Sequence, residues 1–112
     1  MNPRHGLSAE TIQKIAEVLL RCTAVDRAVL FGSRAKGTQK TGSDIDLALV
    51  GHELDWRTVG KIYDRLDDLL LPYRFSLVVY DANTDAEVAA HIRRVGIPVF
   101  ERPAVQHEVL QR

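Results

Sequence analysis

Two aspartates one residue apart, Asp44 and Asp46, lie in the stretch VLFGSRAKGTQKTGSDIDLALV, which runs from Val29 to Val50. Charged residues are depleted in strands, and like charges on one face repel. If the segment is extended, both carboxylates leave the same face with Cα atoms about 6.6 Å apart. A positive charge belongs between them. Hard divalent cations such as Mg²⁺ take one or two protein carboxylates and complete their shell with waters and phosphate oxygens, so the pair reads as a metal grip. Upstream, Gly32 lets the backbone pass close to a bulky group, and Ser33 opens a helical turn whose free N–H groups and hydroxyl suit a phosphate. Arg34, Lys36 and Lys40 bring positive charge to the same anion. Taken singly, these features have ordinary readings as a turn, a solvated strand edge and a polar loop. Few structural needs generate the combination: a strand end, Gly-Ser, ten intervening residues, then Asp-apolar-Asp on a second strand.

These residues need a frame, and the periodicity supplies one. Ser8 can cap a helix whose apolar positions Ile12, Ile15, Ala16, Leu19 and Cys22 form one stripe, with Cys22 read as a core residue. RAVLF is a short buried strand ending at Gly32, residues 33–36 leave room for one helical turn, and KGTQKTGS is loop composition. In DIDLALV, Ile45, Leu47 and Leu49 face inward while Asp44, Asp46 and Ala48 share the other face. Trp56, Val59, Ile62, Tyr63, Leu66, Leu69 and Leu70 predict a helix that stops at Pro72, with Trp56 as a core anchor. RFSLVVY is a third strand. TDAE, from Thr84 to Glu87, reads as a capping box opening a helix with Val88, Ile92 and Val95 on one side and Gly96 as its stop. IPVF adds a last short strand, and the polar tail from Glu101 to Arg112 is expected to fray or be taken up by a partner. The sum is an α/β (α+β) domain: a small mixed sheet of three to four strands with helices packed against it.

The whole chain narrows the function classes. With 112 residues, 46% of them apolar, it predicts a single domain over residues 1–112, its core spanning about 8–100. Fifteen basic and fifteen acidic residues balance, so no global field draws it to nucleic acid or an anionic membrane. One cysteine excludes an internal disulfide, and no apolar run approaches the roughly 20 residues of a membrane span. The N-terminus lacks the apolar centre of a signal peptide, and a cytoplasmic protein is expected. His5, His52, His91 and His107 have no paired ligand spacing and read as surface residues. No Walker-type glycine loop is present.

FGSRAKG followed by SDIDLAL resembles the nucleotidyltransferase fold of DNA polymerase beta, specifically the minimal nucleotidyltransferases, or MNT proteins, over about Val25 to Phe100. The resemblance implies that Asp44 and Asp46 hold one or two Mg²⁺ ions on the triphosphate of a nucleotide as catalytic and metal residues. It implies that Gly32 and Ser33 contact the phosphates, with Arg34 a further phosphate ligand. The implied chemistry is attack of an acceptor on the α-phosphate with release of pyrophosphate. MNT proteins commonly pair with a helical HEPN-type partner as the antitoxin of a toxin couple, so the resemblance implies a nucleoside triphosphate substrate, a HEPN-type protein partner and a protein or RNA acceptor. It also leaves room for a homo- or hetero-oligomer.

One position departs from the pattern. The family usually carries a third carboxylate on the following strand, and RFSLVVYD has Ser76 there. A serine hydroxyl is uncharged at neutral pH and a poor base, which weakens a second metal position. Asp81 lies about 16 Å further along an extended chain and on the opposite face, so only a bend or bulge would bring it to the site. Two further readings therefore stay open: a catalytically weakened module that binds Mg-nucleotide or a partner, and a regulatory nucleotide sensor.

Overall fold

The structure, a computed structural model, describes residues 5–40 and 42–103. Four helices and four strands follow in the order α1 Ala9–Arg21, β1 Val25–Phe31, α2 Gly32–Lys36, β2 Ile45–Gly51, α3 Trp56–Asp67, β3 Phe75–Val79, α4 Ala86–Val95 and β4 Ile97–Glu101. The strands form one sheet in the order β3-β2-β1-β4. β1 runs antiparallel to β2 and to β4, and β2 pairs in parallel with β3. A parallel neighbour needs a long crossover, which α3 provides, whereas α2 and its loop return the chain from β1 to β2 in the opposite direction. The expected α+β architecture is present.

The period-2 alternation separates two faces. Ile45, Leu47 and Leu49 of β2 turn inward with Ala28 and Leu30 of β1, where they meet Ile15 and Leu19 of α1 and Ile62 and Leu66 of α3. Each fully buried Leu or Ile in this layer contributes about 1.5–3 kcal/mol by leaving water. The opposite face is covered more thinly: Ile92 of α4 sits on Val29 and Ala48, with Phe31, Val78 and Tyr80 around it. That incomplete cover leaves the Asp46 end of the sheet open for chemistry.

Caps decide the helix ends. Ser8 accepts the Thr11 N–H at 3.0 Å and starts α1, as its sequence position suggests. At the other end Cys22 is the C-cap, half-buried against the core. The last carbonyls of α1 are met by Arg102, whose guanidinium donates to the oxygens of Leu19, Leu20 and Cys22 and to Val25 of β1 at 3.0–3.2 Å. The stretch expected to fray from Glu101 is therefore tied down through Arg102, and the remainder of the tail, 104–112, lies outside the described residues, as does His107.

Three local expectations are corrected. Trp56 is not a core anchor: it opens α3 on the flank shared with Tyr63 and is 79% exposed, with the Arg57 guanidinium 5.2 Å from its ring centroid. Helical spacing puts it well over 100° round the axis from the buried Ile62. The helix also ends at Asp67 rather than at Pro72, and Leu70, which the apolar stripe would have buried, has φ 55° and is 88% exposed. The third correction concerns α4. Its cap is Asp85, which accepts the N–H groups of Glu87 and Val88, while Thr84 is turned back to the Val79 carbonyl. Its buried positions are Ala89 and Ile92, and Val88 stays exposed. Gly96 does end α4, but in extended backbone at φ −60°. Glycine is needed there because a Cβ would collide with the Ile92 carbonyl oxygen and Val29.

Candidate functional site

Asp46 is the second residue of β2, half-buried on the thinly covered face, and Asp44 is exposed just before the strand begins. The two are coupled: the Asp46 carboxyl is raised above its ordinary range first by burial and next by the Asp44 charge. His91, the Ser76 hydroxyl and Arg34 act against that rise. In the parallel register Asp46 pairs with Ser76, whose hydroxyl favours the charged carboxylate. Ser76 therefore stands on the neighbouring strand directly beside Asp46, where a third carboxylate would sit. Asp81 lies beyond the end of β3, its carboxylate accepting the Asn83 N–H at 2.8 Å within a tight turn. It is not part of this cluster.

Gly32 brings the Gly-Ser turn to the aspartates. Its φ is +76°, a conformation favoured for glycine, and a Cβ built on it would overlap the Asp46 Oδ2. The backbone at the head of α2 and the Asp46 carboxylate thus share one small space. Ser33, half-buried, follows on α2, and its carbonyl accepts the Thr38 N–H at 2.9 Å, closing the short turn.

Arg34 is built differently from its sequence expectation as a phosphate ligand. It is only 3% exposed, with Nε and Nη2 donating to the Ser43 carbonyl at 3.2 and 2.9 Å and Nη1 to the His5 carbonyl at 2.7 Å. Its guanidinium also lies 4.7 Å from the Tyr73 ring centroid. Because Ser43 immediately precedes Asp44, this side chain fixes the loop that delivers the first aspartate. A planar five-donor guanidinium suits such clamping of carbonyls. Lys36, the last residue of α2, and Lys40, on the loop after it, are exposed.

Sequence spacing gave no reason to include His91, read there as a surface residue. It lies on α4, half-buried, and its Nε2 accepts the Gly32 N–H at 3.1 Å across 59 residues of chain. Its ring meets Phe31 edge-on with centroids 6.1 Å apart. No local pattern announces a contact between a helix residue and a turn so far away in sequence.

The donor set suits a hard divalent cation. Two carboxylates with mutual repulsion are brought together, one exposed and one half-buried, and among the described residues no group of three or more His, Cys, Asp or Glu is placed to hold a metal ion by itself. A cation here would take its remaining ligands from water and phosphate oxygens. The raised Asp46 carboxyl has a measurable consequence. A folded-state pKa above the unfolded value means that the stability present below the ordinary 3.8 is lost as pH rises through the raised value. Asp46→Asn should therefore melt at a higher temperature than the native protein at pH 7 in chelator, the gap closing as pH falls towards 3.8. Thermal melts across that range check this, and an Asn variant that melts lower at pH 7 would contradict it.

Comparison with known proteins places the chain among relatives. Residues 13–104 match the model of the family described as polymerase beta, nucleotidyltransferase. The chain is 32% identical over 90 residues to the probable protein adenylyltransferase MntA of Haemophilus influenzae, covering 79% of this chain and 78% of that one. It resembles a chain in the crystal structure of a toxin-antitoxin with AMP-PNP at TM-score 0.68 and 24% identity, covering 88% of this chain and 78% of the other. A chain of the tri-AMPylated Shewanella oneidensis HEPN toxin in complex with MNT antitoxin matches at TM-score 0.60 and 20% identity, over 90% and 76% of the two chains. At these identities the solved structures speak to the fold, which is shared. Among the described residues no helix is long and apolar enough to cross a membrane.

Proposed function

This chain belongs to the polymerase beta nucleotidyltransferase family, and from that premise we propose that it transfers adenylate from ATP to a side-chain hydroxyl of a HEPN-type protein partner, as the antitoxin of a toxin-antitoxin pair. One observation carries the reading: the Asp46 carboxylate lies so close to Gly32 that no Cβ fits between them, which makes the carboxylate pair and the Gly-Ser turn a single site. A carboxylate against a phosphate-suited turn, with a second carboxylate two residues before it, fits a metal-bound triphosphate. Members of the family use a divalent metal. Mg²⁺, as one or two ions, is the best match to an all-oxygen donor pair that leaves most of the shell to water and phosphate.

The roles follow from position. Asp44 and Asp46 hold the cation, the Gly32–Ser33 turn and the Ser33 hydroxyl face the phosphates, and Arg34 keeps Asp44 in register through the Ser43 carbonyl. Ser76 stands beside Asp46 on the neighbouring strand and favours its charged form. The acceptor oxygen forms a bond to the α-phosphorus, the bond from that phosphorus to the bridging oxygen breaks, pyrophosphate leaves, and the hydroxyl proton passes to solvent. Bound Mg²⁺ supplies positive charge to the phosphate oxygens as this charge shifts. A protein acceptor is favoured over RNA by the relative's description as a protein adenylyltransferase and by the balanced net charge. The exposed Trp56, Tyr63 and Leu70 on and just beyond α3 offer apolar surface for that partner.

A second reading has its own observation. Ser76 occupies the place beside Asp46 where a carboxylate would serve as base, which favours a protein that binds Mg-nucleotide and partner but transfers slowly. Mass spectrometry of a HEPN-type protein that co-purifies with this chain, after incubation with ATP and Mg²⁺, separates the two. An increment of one or more adenylates supports transfer. An unmodified partner together with tight Mg-ATP binding supports the second reading, and absence of both overturns the site.

A further inference from the structure

The first N–H of a helix has no partner within the helix, and at α2 the preceding residue, Phe31, provides no side-chain cap. His91 takes that place from the other side of the fold, its Nε2 accepting the Gly32 N–H at 3.1 Å. Three facts make this contact more than a cap. The peptide it holds is the one whose Gly32 Cα lies against Asp46 with no room for a Cβ. Its ring is braced edge-on by Phe31, the residue paired with Asp46 in the β1–β2 register. The next residue on α4, Ile92, is anchored in the small core on Val29 and Ala48, so the imidazole is presented from a fixed helix.

Resting on the nucleotidyltransferase reading above, we propose that His91 is a positioning residue of the nucleotide site. It sets the orientation of the Phe31–Gly32 peptide, and through it the separation between the Gly-Ser turn and the Asp46 carboxylate. A triphosphate and its cation must span that separation, because the phosphates meet the turn while the cation meets the aspartate. With His91 absent, Gly32 is free to rotate its peptide away, and a glycine at positive φ has the conformational latitude to do so. The phosphates then bind a turn that must first be reordered, which weakens binding of the ground state and of the transition state alike.

The required group is a hydrogen-bond acceptor at the reach of Nε2, which yields a discriminating series. Glutamine carries its amide oxygen to about that distance, asparagine falls short of it, and alanine removes the acceptor. His91→Gln should bind Mg-ATP as the native protein does. His91→Asn and His91→Ala should bind about five- to tenfold more weakly, the usual net effect of one hydrogen bond, with KM raised by that factor and kcat little changed. Without nucleotide, the Gly32 amide should exchange with solvent faster in the Asn and Ala variants than in the Gln variant. Calorimetry with Mg-ATP and amide exchange by NMR are the readouts, with melting temperatures alongside. Should the Ala variant fail to fold, the Gln and Asn pair decides. Equal affinity across the series, tighter binding by Ala, or a Gln variant as weak as Ala would each overturn the proposal while leaving the nucleotide site intact. A native protein without affinity for Mg-ATP would overturn both.

Discussion

Replacing Asp44 and Asp46 together by asparagine is expected to abolish Mg-nucleotide binding at concentrations that saturate the native protein, and to lower adenylate transfer at least about 10³-fold. Asparagine keeps the size, so the fold should survive, and an uncharged amide avoids both the cost of burying a charge and the Asp44 repulsion that raise the Asp46 carboxyl. What disappears is the negative charge a hard cation needs. A metal at a transferring phosphate supplies several kcal/mol of charge stabilisation, and about 4 kcal/mol corresponds to that thousandfold. Calorimetry with ATP and Mg²⁺, and single-turnover labelling of the partner, measure the two effects. A double variant that binds as the native protein does would put the site elsewhere.

Ser76→Asp is expected to raise the transfer rate, by up to the 10²- to 10⁴-fold typical of a positioned base, without a matching gain in nucleotide affinity. The register supports the direction: Ser76 is the direct partner of Asp46 across β2 and β3, so an aspartate there joins the pair on the same face. The same substitution should lower the melting temperature in chelator, since a third carboxylate enters a place where burial and Asp44 already disfavour the charge on Asp46, and the hydroxyl that favours that charge is lost. Mg²⁺ with nucleotide should restore much of that loss. Rapid native labelling, unchanged or reduced by Ser76→Asp, would show that the chain reacts without a carboxylate at this position.

The inward face of β2 was legible in sequence because strand side chains alternate with a strict period of two, and Ile45, Leu47 and Leu49 could only point one way if buried. For the same reason the second aspartate could be assigned to the opposite face, and the Ser8 cap followed from local hydrogen-bonding chemistry. Trp56 and Leu70 were misjudged because helical spacing tolerates a broad apolar stripe, and only packing decides which edge of it meets another element. The cap of α4 went to Asp85 rather than Thr84 because the Thr84 hydroxyl found a competing partner in the Val79 carbonyl at the end of β3.

The candidate site divides along the same line. From residue types and spacing alone came the carboxylate pair and the Gly-Ser turn, since each is a local pattern whose chemistry depends on a few consecutive residues, whereas the place of Ser76 was marked by the family resemblance. Tertiary structure decided that Arg34 faces inward to the Ser43 and His5 carbonyls instead of outward to an anion. It also decided that His91 reaches Gly32 across 59 residues of chain. A side chain's partner is set by which of its neighbours in space lack one, and those neighbours come from distant segments that only the folded sheet and its helices bring together.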